Sequence, residues 1–322
     1  MMLETETVLD RRRLRRHVSF WRTAAIVAGA IALGATAFSG EIIDKLSAKK
    51  HIARVSITGT ITEDRKQLEL LDTIAEDDKA AALIVAVNSP GGTSAGGEAL
   101  YQALRKVSEK KPVVAQFGTV AASAGYIVGL ATDHIVARGN TITGSVGVIA
   151  QWPEFAGFLD KVGVKVHEVR SGELKAQPSL FNPADEKARA VTQDMVDDSY
   201  KWFLGLVKER RGIDTQSVAG LDKGRVFTGR QALAAKLVDA IGGEEEVRAW
   251  LKEKHSIDKD LKVVDKKPKA ESRLSLFGLS RSEVRDLASE LVAGAGNALS
   301  GTGGSDLMRL DGLVSVWHPS EN

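Results

Sequence analysis

From residue 52 onward the chain alternates between short apolar runs and stretches with one apolar face. The run AALIVAV at 81–87 is apolar at every position, which suits a strand buried on both faces of a sheet. The pattern predicts strands over 52–61, 81–87, 112–117 and 134–137. Between them it predicts helices over 65–77, 97–109 and the small-residue stretch 120–132, with a loop at 88–94. A strand over 164–169 and a long helix from 184 to about 211 continue the alternation. Buried strands alternating with helices predict an α/β fold with a largely parallel sheet flanked by helices. In such sheets the loops at the carboxyl ends of the strands are where ligands bind, and both 88–94 and the stretch from Thr119 hold that position.

Two regions depart from this pattern. Residues 11–22 (RRRLRRHVSFWR) carry six arginines, and residues 23–40 then run without a charge. Eighteen residues at ~1.5 Å each give ~27 Å of helix, enough to cross a bilayer with little tilt. The expected organisation is a cytoplasmic basic segment at 1–22, a single-pass transmembrane anchor at 23–40 and an extracytoplasmic, periplasm-like domain from 41. The full-length apolar run favours an uncleaved anchor over a cleaved signal peptide, for which Ala35-Thr36-Ala37 would supply the small-residue site. After residue 255 the text turns lysine-rich (KDLKVVDKKPKAESR), so 256–322 reads as a charged linker and a tail without an assigned role.

Composition removes several chemistries. There is no cysteine, so disulfides, thiolate catalysis and Cys-ligated zinc all fall away. Net charge is only +2 and no basic face is apparent, so nucleic-acid binding has little support. The 31 glycines in 322 residues point to tight turns and close backbone contacts.

The candidate chemistry centres on GTVAASAGY at 118–126, where Ser123 stands among alanines and glycines. A G-x-S-x-G elbow would need Gly at 121, where the chain has Ala. None of the six histidines (17, 51, 134, 167, 255 and 318) lies in a glycine-punctuated loop that would present it as a base. His134 and His167 read as strand residues, a setting that is more often structural. The other base open to a serine is a lysine, and RSGELKAQP at 170–178 offers Lys175 between Leu174 and Ala176. A lysine that serves as a base near neutrality must fall from a pKa of ~10.4 to ~7, a cost of about 4–5 kcal/mol, so it must be desolvated. On position alone Lys175 would be a solvated surface lysine, and Glu173 would oppose the shift if it pointed the same way. In NSPGG at 88–92, Gly91 and Gly92 let backbone N–H groups approach a ligand, as an oxyanion hole requires. The N–H of Ala124 would be the second donor. A plain strand-to-helix turn would use the same residues. In TGSVGV at 143–148, Ser145 stands where its hydroxyl can orient an amine.

In this order, NSPGG, AASAGYI, TGSVGV, SGELKAQP and GRVFTGRQALAAKLVD resemble the signal peptide peptidase SppA family, S49 serine peptidases of the ClpP/crotonase-like fold. The resemblance spans roughly residues 50–255 and makes 41–255 the peptidase domain. It implies Ser123 as nucleophile, Lys175 as general base, Gly91 or Gly92 with Ala124 as oxyanion donors, and Ser145 as the group that orients the lysine. It implies no metal or other cofactor. Two departures are Ala124, where relatives often have Gly, and Leu174, where an aromatic is common; neither removes a functional atom. The length fits one copy of the fold. For such half-length members the resemblance implies a ring-like homo-oligomer in which a neighbouring protomer contributes the lysine. The expected activity is that of a membrane-anchored endopeptidase hydrolysing peptides, remnant signal peptides in particular. A crotonase-like acyl-CoA enzyme and a non-catalytic membrane scaffold are the competing readings.

Overall fold

The computed structural model describes residues 49–268, together with short strands at 273–274, 279–280 and 314–316. The expected basic segment and membrane span lie outside the described residues. Among the described residues no helix is long and apolar enough to cross a membrane. The unit considered below begins at His51.

Eight strands of one sheet fall within 49–268. They are β1 (His51–Ile61), β2 (Ala80–Thr93), β3 (Val113–Ala122), β4 (His134–Ala137), β5 (Ile142–Gly144), β6 (Val226–Thr228), β7 (Ala240–Ile241) and β8 (Val263–Asp265). The order β6-β5-β3-β2-β1-β8 forms its spine, and β4 pairs with β3 and β7. All these pairings are parallel except β5 with β6. The chain is therefore a mixed α/β protein with a mostly parallel sheet. Beyond residue 268, β9 (Arg273–Leu274) pairs with β10 (Leu279–Ser280), and β11 (Val314–Val316) joins the large sheet.

The continuous apolar runs hide a period of two. Along β2, Leu83, Val85 and Val87 enter one core while Ala82 and Ile84 enter another. On β3, Val113, Ala115 and Phe117 face the first and Val114 the second. The first core is covered by α1 (Arg65–Ala75), α2 (Ser94–Ser108), α3 (Ala124–Leu130) and part of α5 (Glu186–Arg211). The second is closed by Val247 and Leu251 of α7 (Glu244–His255). Each face needs its own apolar set, so the strands cannot show the polar alternation of a half-exposed sheet.

Several sequence expectations change here. The loop expected at 88–94 is strand through Thr93, because Gly91 and Gly92 pair with Thr60 and Ile61 of β1. Gly92 is needed for that approach: a Cβ there would fall 1.8 Å from the Ile61 carbonyl oxygen. The strand expected over 112–117 runs on to Ala122, so the following helix begins at Ala124 rather than near 120. The stretch 164–169 has the apolar pattern of a strand but pairs with nothing among the described residues. Val164, Val166 and Val169 are exposed there, and His167 is an exposed coil residue. Within the lysine-rich stretch, Val263–Asp265 pairs with Ile52–Arg54 and carries the sheet beyond residue 255.

Candidate active site

Ser123 stands at the turn from β3 into α3. Its backbone adopts φ 55° and ψ −120°, a region that non-glycine residues rarely occupy and that costs of order 1–3 kcal/mol. The surroundings enforce it: the Ser123 N–H donates to the Gly144 carbonyl at 2.9 Å, and its carbonyl accepts from the N–H groups of Tyr126 and Ile127. Gly125 holds the turn against β2, since a Cβ there would lie 2.9 Å from the Ser89 carbonyl. The small residues of GTVAASAGY are thus required by close packing behind the serine. Ser123 itself is 1% exposed.

The strand end carrying Gly91 and Gly92 lies beside this turn. Ser89 is opposite Ala121, so the register brings Gly91 to the level of Ser123. Gly91 has φ 125°, and its N–H donates to the Ser89 hydroxyl at 3.1 Å. That bond engages one of the two candidate oxyanion donors. Ala124 is the first residue of α3, and the N–H of a first helical residue has no acceptor within its own helix.

Ser145 follows directly on the residue that binds the Ser123 N–H. It too has positive φ (52°), and its N–H donates to the Arg225 carbonyl at 2.9 Å. Arg225 and Phe227 belong to the GRVFTGRQ stretch, where β6 pairs antiparallel with β5. Three of the motifs singled out from sequence therefore meet around Ser123, and a fourth braces them.

Lys175 is placed differently. It lies in an exposed turn, its N–H donating to the Gly172 carbonyl at 3.1 Å. Glu173, the acid expected to oppose it, is paired with Lys187 at 3.0 Å. The surrounding segment carries Phe158, Val162, Val169 and Leu174 exposed, and α5 carries Val191 and Met195 exposed. These are exposed apolar side chains in the same part of the chain as Lys175.

Sequence reasoning missed the support behind Ser123. Tyr126 is fully buried; its hydroxyl donates to the Leu237 carbonyl at 2.8 Å and its ring meets Phe117 edge-on. Burial pushes its pKa well above the ordinary tyrosine range, so it stays a neutral donor. Leu237 follows α6 (Gly229–Ala234), which opens with a capping box between Thr228 and Gln231. T-x-x-Q was the available signal in the sequence. Two residues on, Asp239 accepts two hydrogen bonds from the Arg211 guanidinium, at 2.7 and 3.1 Å, and one from the Ile135 N–H at 2.8 Å. His134 stacks on Trp250 at 4.8 Å, with its Nδ1 3.7 Å from Asp239. Burial holds its pKa below the usual value, with Arg211 adding to this and Asp239 opposing it. His134 is thereby explained as a packed strand residue. Among the described residues no group of three or more His, Asp or Glu is arranged to hold a metal ion.

The model of peptidase family S49 matches residues 105–258, which include Ser123, Ser145 and Lys175. A protein of Synechocystis sp. assigned as a protease is 37% identical over 223 residues, 69% of this chain and 80% of that relative. A protein of Enterococcus faecium assigned as signal peptide peptidase SppA is 31% identical over 248 residues, 73% of this chain and 72% of the relative. Protease 4 of Haemophilus influenzae is 33% identical over 214 residues; these are 63% of this chain and only 35% of that longer protein.

Proposed function

Because the chain belongs to peptidase family S49 and is a serine peptidase, we propose that Ser123 is its nucleophile and Lys175 its general base, on a ClpP/crotonase-like fold. The observation that carries this reading is the strained Ser123 backbone, clamped to Gly144 at the carboxyl end of a central strand. Strain of this kind persists where surrounding structure over-determines it, and it aims a hydroxyl away from the sheet.

In the reaction the Lys175 amine takes the proton from Ser123 Oγ as that oxygen attacks the scissile carbonyl. The oxyanion is held by the N–H of Ala124 and by the glycine pair. Gly92 is the readier donor of that pair, since the Gly91 N–H already serves Ser89. Lysine returns the proton to the leaving amine, and water then hydrolyses the acyl-enzyme with lysine again as base. Ser145 orients the amine.

The base comes from a neighbouring copy in a ring-like homo-oligomer. Lys175 is exposed in a segment that also exposes Phe158, Val162, Val169 and Leu174, whereas a base lysine must be desolvated, and a second protomer packed there would supply the desolvation. The chain acts as a membrane-anchored, extracytoplasmic endopeptidase on peptides, with remnant signal peptides as the substrate class. The sequence at 11–40 supports the anchor, and the relative assigned as a signal peptide peptidase supports the substrate. Labelling with a fluorophosphonate probe tests the chemistry. The probe should modify wild type and leave Ser123→Ala unlabelled; equal labelling of both would rule out Ser123 as the nucleophile.

A further inference from the structure

The Ser89 hydroxyl is fully buried, and the proposed reaction makes no use of it. The alternate positions before it on β2, Leu83, Val85 and Val87, are all apolar. Burying a hydroxyl costs free energy unless it is hydrogen-bonded, so a serine in that setting calls for partners. Its oxygen accepts the Gly91 N–H at 3.1 Å, and its own proton is donated to the Gly91 carbonyl oxygen at 3.3 Å. Both bonds thus close on one residue, across Pro90. The Ser89 carbonyl meanwhile faces Gly125, where a Cβ would lie 2.9 Å away. Ser89 also pairs with Ala121, on the strand that ends just before Ser123. One buried residue therefore joins the glycine pair to the turn that carries Ser123.

The glycine pair sets a requirement that this contact meets. Gly92 must be glycine because β1 approaches it, and Gly91 holds φ 125°, a region open to glycine and to little else. Two adjacent glycines leave the backbone free to turn, whereas an oxyanion donor has to be aimed before charge develops. Pro90 fixes its own φ and has no N–H, so it does not hold Gly91 in place. We propose that Ser89 is a positioning residue: its hydroxyl holds Gly91 and thereby aims the Gly92 N–H at the oxyanion beside Ser123. The two glycines then have separate tasks, Gly91 as the tethered residue and Gly92 as the donor. This rests on the reading in which Ser123 is the nucleophile and Gly92 an oxyanion donor.

The test compares wild type with Ser89→Ala, Ser89→Thr and Ser89→Cys in the full chain, each assayed well below its melting temperature. Ser89→Ala should lower kcat on a peptide substrate at least about tenfold and leave KM within about threefold, because ground-state binding does not use the oxyanion donors. A trileucine aldehyde, whose adduct with serine places an oxygen in the oxyanion site, should lose affinity by the same factor as kcat/KM. The trileucine acid forms no such adduct and should bind all variants alike. Ser89→Thr keeps the hydroxyl and should return kcat to within about threefold of wild type. Ser89→Cys is close to serine in size but only a weak acceptor; its kcat should fall as well, and it serves where the Ala variant does not fold. Amide exchange at Gly91 should quicken in the Ala and Cys variants alone. A kcat within about twofold of wild type in Ser89→Ala or Ser89→Cys would overturn the proposal. Equal losses of affinity for the aldehyde and the acid would do the same, as would a folded Ser89→Thr enzyme no faster than Ser89→Ala. A Ser123→Ala enzyme that still hydrolyses the substrate would sink the serine reading itself, and the positioning role with it.

Discussion

The hydroxyl of Tyr126 donates to the carbonyl oxygen of Leu237 at 2.8 Å, tying the helix behind Ser123 to a loop 111 residues further along the chain. Tyr126 is three residues past Ser123 and wholly buried, so this bond holds α3 while the Gly144 carbonyl holds the turn. Tyr126→Phe leaves the Leu237 carbonyl buried and unpaired. It should cost about 1–3 kcal/mol, read as a fall of a few degrees in melting temperature. An unchanged melting temperature would mean that water replaces the hydroxyl without loss.

Gly144 is the second clamp. It has φ 84°, and a Cβ there would lie 2.7 Å from the Phe227 ring and 3.0 Å from the Arg225 carbonyl. Gly144→Ala should push β5 away from β6 and loosen the bond to the Ser123 N–H. Overpacking of this kind costs about 1–3 kcal/mol, and if Ser123 is the nucleophile activity should fall at least about tenfold as it shifts. Peptide hydrolysis together with denaturant unfolding checks both halves.

The ion pair between Arg211 and Asp239 should show the asymmetry of buried charges. Asp239→Ala strands a guanidinium whose side chain is only 12% exposed, and should cost about 3–5 kcal/mol. Replacing both residues by Leu should cost clearly less than Asp239→Ala alone. Urea unfolding of Arg211→Leu, Asp239→Leu and the double Leu variant gives the cycle; additive losses would show that the pair is not coupled.

His134 gives a pH dependence of known sign. Its folded pKa lies below the unfolded value of ~6.5 because burial disfavours the imidazolium. The unfolded chain therefore binds the proton first, so the contribution is present above pH ~6.5 and is lost as pH falls through the lower folded value. His134→Phe keeps a ring against Trp250 and removes the titration. Its unfolding free energy should fall less than that of wild type between about pH 6.5 and 5, measured by denaturant titration at each pH.

Much of this was legible in the residues. AALIVAV and its neighbours announced buried parallel strands because both faces of the sheet are covered and no polar residue could interrupt them. Ser123, Ala124 and Ser145 could be singled out because each comes just after the end of a strand in a glycine-rich context. What stayed hidden depends on long-range pairing. Pro90-Gly91-Gly92 reads as a turn, yet it remains strand because β1 approaches too closely for any side chain at 92. Residues 164–169 carry a strand pattern without a strand beside them among the described residues. Val263–Asp265 and Val314–Val316 are too short, and set in surroundings too polar or glycine-rich, for any local pattern to reveal their partners. The exposure of Lys175 agrees with what its position alone suggests, that of a solvated surface lysine.

The sharing of the site between copies is tested most directly by mixing Ser123→Ala with Lys175→Ala, after confirming by subunit exchange that mixed oligomers form. Each variant alone should be inactive on a peptide substrate. Random mixing places an intact Ser123 beside an intact Lys175 at about one interface in four, so roughly a quarter of the wild-type rate should return. Mixed oligomers no more active than either variant alone would contradict a site built from two copies.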